Sequence, residues 1–412
     1  MPGRSRSSGR GAARQHLILV LAVGMGFPSG AIAAWGFFGD ILLMGGRAAN
    51  PGLLDTDQPA SLRRGQMQAT SRLTLGTRST WEKTDFKLSY SPYGEFYEDS
   101  DLSQLSHALG VTWDHRFTPR VSLKLVEDFI HNPKLPTDPN GAGVGGALVP
   151  DTSITTSDFN QTLSFRATPK DSLSWTYRNI IRLYSSDQLL DTLGNAPGME
   201  YSRTFGPHVV VSTGYEFGAY SFRDGLPSAE NEDFRRHRVY GGYAYNFPAG
   251  LHVDFDGGYD RLVFTQNDSD SVSKPFVRSS LGWSGTRVHT RLGYEQGLDE
   301  GGGVMTSAWL RRVWAAAHVR FTDRASFDLS ISGDVRESLD EVEPAAITLR
   351  TLRGGSSFIY RLPRNWALIA AVTHDRQTAT GTTAIPTEMR ANRFALGASW
   401  SFEPYGNHPA GD

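Results

Sequence analysis

Histidine, serine and acidic side chains in this sequence could catalyse a reaction or bind a metal ion if the fold brought them together. Eight of the eleven histidines are scattered without the spacing of a metal site, at His107, His115, His208, His237, His252, His289, His318 and His374. The segment Gly354–Ser357 lacks the flanking glycine and the following helix of a nucleophile elbow. The segment Asn267–Ser271 lacks the glycine and the distal glutamate of a calcium loop. The sequence therefore predicts no catalytic site, no metal and no cofactor.

Charged side chains at alternate positions offer a different chemistry, the attraction and orientation of solutes. The candidates for the lining or the constriction of a water-filled lumen are Arg236, Arg238, Asp254, Asp256, Asp260, Arg278, Arg287, Arg291 and Arg312. Ion pairs between Arg236 or Arg238 and the Asp254–Asp260 segment would form a ladder that holds a polar lumen together. Alternatively, separated basic and acidic walls would orient charged solutes at a constriction. The sequence leaves both interpretations open.

These residues need strands to position them, and the dominant pattern of the chain is alternation of period two. In Phe86–Ser91, Leu251–Asp260 and Phe327–Val335, apolar residues alternate with polar ones, which predicts strands with one apolar and one polar face. The runs exceed the roughly five or six residues of globular strands and suit the about 9–11 residues of a tilted membrane-spanning strand. The pattern predicts an all-β fold, a single antiparallel up-and-down transmembrane β-barrel.

The connections between these strands alternate between tight turns rich in Pro and Gly and longer polar segments. Tight turns are predicted at 118–120, 168–171, 205–207, 247–250, 284–286, 322–324 and 362–365, and long loops at 132–155, 186–199, 223–233, 266–273 and 337–345. Short periplasmic turns and long outer loops are typical of outer-membrane barrels. Aromatic residues beside the tight turns, such as Trp283 and Trp366, would form an interfacial girdle.

The number of strands follows from the alternating runs. Sixteen strands are predicted at 83–97, 104–117, 120–131, 156–168, 172–185, 198–205, 208–222, 233–247, 251–265, 274–284, 286–297, 304–321, 325–336, 346–360, 365–377 and 387–402. Two further segments, 35–44 and 65–78, raise the count to eighteen, which we prefer to the alternative of sixteen. Both counts are even, as in single-chain bacterial barrels.

The beginning of the chain is typical of an export signal. Four arginines in the segment 4–14 precede the apolar run Leu17–Val23, and small residues follow at Ala31–Ala34, which is the order of a secretory signal peptide. We therefore expect four parts: a signal peptide at 1–33, an N-terminal segment with a first strand at 34–64, a transmembrane β-barrel at 65–402 and a short tail at 403–412.

Composition narrows the partners of the protein. Lys and Arg number 41 against 43 Asp and Glu, so the chain lacks the basic excess that would favour a nucleic-acid partner. It contains no cysteine, which excludes disulfides, thiolate metal ligands and thiol catalysis. No stretch other than the export segment is apolar enough to predict a membrane-spanning helix.

The last predicted strand carries a motif. In Arg393–Phe402, the residues Phe394, Leu396, Ala398, Trp400 and Phe402 would share one face. A glycine followed three and five residues later by aromatics, here Gly397, Trp400 and Phe402, resembles the β-signal of bacterial outer-membrane barrels. In that class the signal is recognised by the barrel-assembly machinery, so the resemblance implies that machinery and outer-membrane lipid as partners.

The pattern over 35–402 resembles porin-like outer-membrane barrels. The resemblance implies a location in the cell outer membrane and a channel for passive passage of ions or small hydrophilic solutes. Two alternatives remain open, an outer-membrane component of exopolysaccharide export and a structural or adhesion barrel without an open pore. A homo-oligomer is also left open, because sixteen-stranded porins are commonly trimers.

Overall fold

The computed structural model describes residues 34–49, 65–98, 103–132, 152–186, 189–223, 233–265, 271–299, 305, 307–339, 347–381 and 387–402. Within these ranges the chain forms eighteen β-strands: β1 Ala34–Ala49, β2 Gln66–Trp81, β3 Thr84–Tyr97, β4 Gln104–Thr118, β5 Val121–Asn132, β6 Ile154–Arg166, β7 Asp171–Tyr184, β8 Asp191–Phe205, β9 Val209–Arg223, β10 Phe234–Asn246, β11 Leu251–Phe264, β12 Ser271–Ser284, β13 Val288–Asp299, β14 Ala308–Arg320, β15 Ala325–Ser338, β16 Thr348–Arg361, β17 Trp366–Thr380 and β18 Glu388–Phe402. The predicted signal peptide 1–33, the tail 403–412 and most of the long loops lie outside these residues.

The strands close into a single barrel. From β2 to β18 each strand pairs antiparallel with the next. The ring closes through β1, which pairs with both β18 and β2, in a register that runs from Gly39 opposite Phe402 to Ala49 opposite Asn392. The prediction of an all-β barrel with eighteen strands is confirmed, and the alternative of sixteen is wrong because β1 and β2 complete the ring.

The two faces of the barrel wall differ in chemistry, as the alternation predicts. Large apolar side chains on the outer face are exposed, for example Val239 (58%), Leu368 (50%) and Leu396 (53%). The residues between them along each strand face the lumen and are largely polar or charged. Alternation of this kind places the apolar set toward lipid and the polar set toward the lumen. No helix among the described residues is long and apolar enough to cross a membrane.

The two rims of the barrel differ in the length of their connections. On one rim, called the turn side, short turns join the strands, and positive φ angles occur at Gly206 (66°), Gly250 (79°) and the pair Arg364 and Asn365 (62° and 63°). Two consecutive positive φ angles are those of a type I′ hairpin turn. The opposite rim, called the loop side, carries the longer connections. The predicted tight turns all lie on the turn side, and the predicted long loops join strands on the loop side, except that most of 186–199 belongs to a strand.

Strand β8 is the element whose start differs most from the prediction. It begins at Asp191, whereas the sequence predicts a loop over 186–199, because Gly194, Pro197 and Gly198 are loop-type residues. The glycine at 194 makes room for the Tyr220 ring, which would lie 2.7 Å from an added Cβ. The pairing with β9 continues in register on either side of Pro197, so the missing N–H is tolerated without a bulge.

Candidate functional site

The candidate site is the lumen, and strand register decides which predicted residues reach it. Eight of the nine predicted residues occupy lumen-facing positions: Arg236, Arg238, Asp254, Asp256, Asp260, Arg278, Arg291 and Arg312. Arg287 does not, because it lies in the turn between β12 and β13, where its carbonyl oxygen accepts a hydrogen bond from the Arg320 N–H. The strand predicted at 286–297 begins two residues later, at Val288, and a role of Arg287 in lining the lumen stays a prediction.

The hairpin of β10 and β11 carries a closely paired cation and anion. Arg238 donates two hydrogen bonds to Asp260, 2.6 Å from Nε to Oδ1 and 2.8 Å from Nη2 to Oδ2. Asp260 is fully buried, and the guanidinium stacks 4.0 Å from the centre of the Phe276 ring. Two parallel hydrogen bonds of this kind fix the orientation of both groups. Arg236, in contrast, pairs with Glu216 of β9.

The acids on β11 below Asp260 have several kinds of neighbour. Asp254 accepts a hydrogen bond from Ser280 Oγ at 2.9 Å and lies 2.8 Å from His252 Nε2. Asp256 is opposite Arg278 in the register, and Arg278 in turn lies 4.0 Å from Glu295. On the β10–β11 hairpin Arg238 pairs with Asp260, whereas Asp254 and Asp256 are opposite Ala244 and Gly242. The predicted ladder is therefore present in part, and the choice between the two interpretations stays a prediction.

Two further predicted arginines lie beyond this ladder. Arg291 stacks over Trp314 at 5.3 Å from the ring centre and is exposed to the lumen. Arg312 is opposite Glu295 on one neighbouring strand and Asp334 on the other. Positively charged residues of the lumen therefore occur beyond the predicted hairpin, as far as the strand next to β15.

A buried apolar layer extends across the lumen near the loop side, and the sequence interpretation missed it. We call it the cross-lumen layer. One part is made of Ile180, Leu190, Tyr220, Phe222, Phe234, Leu262, Phe264, Leu298 and Trp309, and the other of Leu189, Met305, Ala308, Ile347, Leu349 and Ala379, with Tyr184 packed against it. These residues come from strands on opposite sides of the ring, so the layer narrows the path through the barrel.

The ends of β13 and β14 reach the layer by leaning inward. Pairing between β12 and β13 stops at Val277 opposite Gln296, while β13 and β14 stay paired as far as Asp299. Beyond the stop, the Leu298 N–H donates to Asp260 of β11 at 3.2 Å. Pro275 has no N–H for the ladder, so β12 is poorly suited to continue the pairing at this level.

A buried charge network lies beside the layer. Arg336 Nε donates to Asp299 at 2.7 Å and Nη1 donates to Asp334 at 2.5 Å. Arg336 is 3% exposed and Asp334 7%. Asp299 also interacts electrostatically with Arg182 of β7, from the far wall. Charges this deeply buried are tolerated when they are paired and hydrogen-bonded, and here the pairing joins β13 and β15.

Another buried carboxylate, Glu95, joins side chains of β2, β3 and β4. It is 2% exposed and accepts hydrogen bonds from Tyr93 Oη (2.8 Å), Tyr97 Oη (3.3 Å), Gln68 Nε2 (3.3 Å) and Gln104 Nε2 (2.6 Å). Each carboxylate oxygen has two donors, which satisfies a buried anion without a direct ion pair.

On the turn side of the layer the lumen wall is lined differently. Many lumen-facing positions there carry small side chains: Ser212, Gly214, Gly242, Ala244, Ser280, Gly282, Ser330, Ser332, Gly355, Ser357, Ala371, Ala395, Gly397 and Ser399. Small side chains leave the cross-section open, so the lumen widens from the layer toward the turns. Among the described residues, no group of three or more His, Asp or Glu could hold a metal ion.

The three residues of the predicted assembly signal lie on the strand that closes the ring. Trp400 and Phe402 belong to the outward face near the turn side, with ring centres 5.5 Å apart. Gly397 faces the lumen, and a Cβ there would lie 2.0 Å from the Leu43 carbonyl oxygen. The close approach of β1 thus accounts for the glycine. Recognition by an assembly machinery stays a prediction.

Comparisons with known proteins give a likeness in fold. No protein-family model and no curated protein matches the chain. Among solved structures, the chain is similar to Pseudomonas aeruginosa OccK2 (OpdF), with 13% identity over 90% of this chain and 98% of that chain and a TM-score of 0.47. It is also similar to Acinetobacter baumannii OccAB3, with 11% identity over 90% and 99% and a TM-score of 0.43.

The class of protein follows from the molecule itself. In the closed ring each of the eighteen strands pairs with a neighbour on both sides, and the outer face is a belt of exposed apolar side chains. A closed barrel is the one β structure that satisfies its backbone hydrogen bonds within lipid. The fold and the charged lumen define a transmembrane β-barrel with a hydrophilic interior, narrowed at one level by the cross-lumen layer.

Proposed function

We propose that the protein is a porin-like channel of the bacterial outer membrane that passes ions or small hydrophilic solutes by diffusion. The observation that carries the proposal is the charged, hydrogen-bonded lumen wall inside an apolar exterior, which is the arrangement of barrels that conduct water and solutes. The proposal gives the protein no catalytic role and no cofactor. Export through a signal peptide and insertion by the barrel-assembly machinery belong to it.

The cross-lumen layer is the selective level of this channel. Solutes meet apolar side chains next to the Arg336 network and then the wider turn-side lumen, whose wall carries exposed charges such as Arg291. A narrow level lined by both apolar and charged groups admits small polar solutes and slows larger ones. The mixed signs of charge on the β10 to β13 wall favour modest rather than strong charge selectivity.

Planar-bilayer recording of the refolded full-length protein tests the proposal. We expect stepwise conductance that rises with salt concentration, together with an electrophoretic shift between boiled and unboiled samples that reports an intact barrel. Liposome swelling with sugars of increasing size would place the cut-off of the constriction. An intact barrel that gives neither conductance steps nor swelling would overturn the channel.

One observation favours a second candidate, a structural barrel without an open pore. The cross-lumen layer contains residues that are almost fully buried, including Leu262, Leu349 and Leu189, and side chains packed this closely exclude water. The same bilayer experiment separates the two functions. If the barrel stays folded in detergent until it is boiled but gives no conductance steps, the structural candidate is supported. Conductance steps support the channel.

A further inference from the structure

The outward face of the barrel carries its charges in an uneven distribution. On the described strands, eight outward-facing arginines lie near the loop side, and all are exposed: Arg47, Arg223, Arg235, Arg261, Arg311, Arg350, Arg376 and Arg390. We call them the arginine belt. The acids near this level are Asp191, Glu337 and Glu388 at outward strand positions and Asp233 just before β10, whose carboxylate accepts a hydrogen bond from the Phe222 N–H. The belt therefore has a clear excess of positive charge.

One part of the belt lies on β16, β17 and β18. Arg376 and Arg390 are directly opposite in the register, an arrangement of like charges that destabilises a strand pair. Both bind the single carboxylate of Glu388, at 2.9 and 2.6 Å. Arg350 on β16, opposite Thr378, adds a third cation to this sector, where Glu388 is the one acid at the outward positions of β16, β17 and β18.

A second part lies on β9, β10 and β11. Arg235 is opposite Ala219 and Val263, and Arg261 is opposite His237, so the two arginines are diagonal neighbours across the strand pair. Arg223 ends β9 four residues after Ala219, the register partner of Arg235. The carboxylates nearest this part of the belt are Asp191, which is opposite Arg223 in the register, and Asp233, two residues before Arg235. The outward positions of β9, β10 and β11 themselves add no acid, since the aspartates of β11 face the lumen.

The turn side of the outer face provides the contrast. Its one outward arginine on the described strands, Arg203, lies 3.5 Å from Asp171, so this arginine has an acidic partner on the neighbouring strand. The belt also lies just beyond exposed apolar residues such as Tyr259 (68%) and Val239 (58%), at the level where a membrane changes from hydrocarbon to head groups. Guanidinium groups bind phosphate with paired hydrogen bonds at such a boundary.

We propose that the arginine belt binds the phosphate groups of the glycolipid of the outer leaflet, lipopolysaccharide. This inference rests on the outer-membrane location in the proposed function, and it fixes the loop side as the outer leaflet. A lipid phosphate placed between Arg235 and Arg261, or above Arg376 and Arg390, supplies the negative charge that the outer face of the barrel lacks. The hydrocarbon chains then lie along the apolar face below.

The test uses full-length protein in detergent and bisphosphorylated lipid A as the probe, with retention measured by native mass spectrometry. The double variants R235Q/R261Q and R376Q/R390Q should retain about tenfold less lipid A than the native protein, because each loses two charge-assisted contacts. The matched control R203Q, also outward and exposed but on the turn side, should retain lipid A as the native protein does. Lipid A without its phosphates should bind the native protein weakly. Its retention should be about equal to that of intact lipid A by the double variants.

Three outcomes would overturn the belt: equal retention by native protein and both double variants, equal loss in R203Q, or undiminished retention of the phosphate-free lipid. Inorganic phosphate added in excess distinguishes a site for free phosphate from a site for the lipid. It should displace lipid A from a site for free phosphate and leave lipid A bound at a site for the lipid. Bilayer conductance of the same samples keeps the proposals separate. A protein that conducts but does not retain lipid A contradicts the belt alone.

Discussion

The loop-side and turn-side halves of the lumen have the same alternating strands but opposite contents. Near the loop side, lumen-facing residues such as Leu262 and Phe234 are buried in the cross-lumen layer as if in a soluble core. Near the turn side, many lumen-facing positions carry serine, alanine or glycine, and exposed charged residues such as Arg291 lie among them. The difference teaches that period-two alternation sets only which residues face inward. The size and polarity of those inward residues set where the barrel is narrow.

The strongest test of this comparison is the substitution Arg336→Ala. It would leave Asp299 and Asp334 buried without their cation, and losing one partner of a buried ion pair costs about 3–5 kcal/mol. The free energy of unfolding, measured by denaturant titration in lipid or detergent, should fall by that amount. Arg291→Ala, a change at an exposed arginine of the turn-side lumen, is the control. Equal losses in the two variants would contradict a difference between the halves.

A smaller loss of stability is expected for Leu262→Ala. This side chain is fully buried in the layer, and truncating a buried leucine costs roughly 2–5 kcal/mol through lost contacts and the cavity left behind. Leu368→Ala, at an outward leucine that is half exposed, should change the unfolding midpoint much less. If both variants unfold together, the layer is not packed like a core.

The third test concerns conductance. In Leu189→Asp a carboxylate replaces a side chain that is 1% exposed within the layer, and burying an unpaired charge is unfavourable enough to displace the segment between β7 and β8. Single-channel conductance should rise roughly twofold, since the narrowest level sets the resistance. Ser330→Asp adds the same charge to the open turn-side wall and should not widen the channel. A conductance equal to that of the native protein in Leu189→Asp would place the constriction elsewhere.

The smallest effect is expected for selectivity. Arg291→Glu reverses an exposed charge on the turn-side wall, where water and salt screen it. The ratio of cation to anion permeability, taken from the reversal potential in a salt gradient, should shift by about twofold toward cations. Arg261→Glu reverses a charge on the outer face and should leave the reversal potential unchanged. A shift in the second variant alone would contradict the assignment of inner and outer faces.

Much of the fold could be predicted because one face of each strand meets lipid. That constraint makes the alternation long and regular, as in Leu251–Asp260, and it yields the eighteen strands and the two kinds of connection. The start of β8 could not be predicted in the same way. Gly194 and Pro197 are residue types that favour loops. They lie in a strand here because hydrogen bonds to β7 and β9 on both sides outweigh that local preference.

The site could be predicted only in part. Register follows from alternation, so eight of nine predicted residues face the lumen, and the Arg238–Asp260 pair lies on the predicted hairpin. The cross-lumen layer depends on contacts between strands far apart in sequence, which periodicity does not encode. A signal existed nonetheless. In Leu262–Phe264 three apolar residues follow each other at the end of an alternating strand, where a lumen-facing position should have been polar.

The shortened pairing of β12 with β13 has a mechanical consequence. Eight Cα pairs join β12 to β13, against thirteen between β10 and β11. The barrel wall is therefore unpaired between β12 and β13 from the loop-side rim as far as Val277. Amides of β12 between Ser273 and Phe276 that face β13 should exchange with deuterium sooner than their counterparts on β11. At the unpaired part of β12 and β13 the wall can widen without breaking hydrogen bonds between these strands, whereas at the turn-side rim they stay paired. We therefore expect the wall to be less stiff in this sector than between β10 and β11.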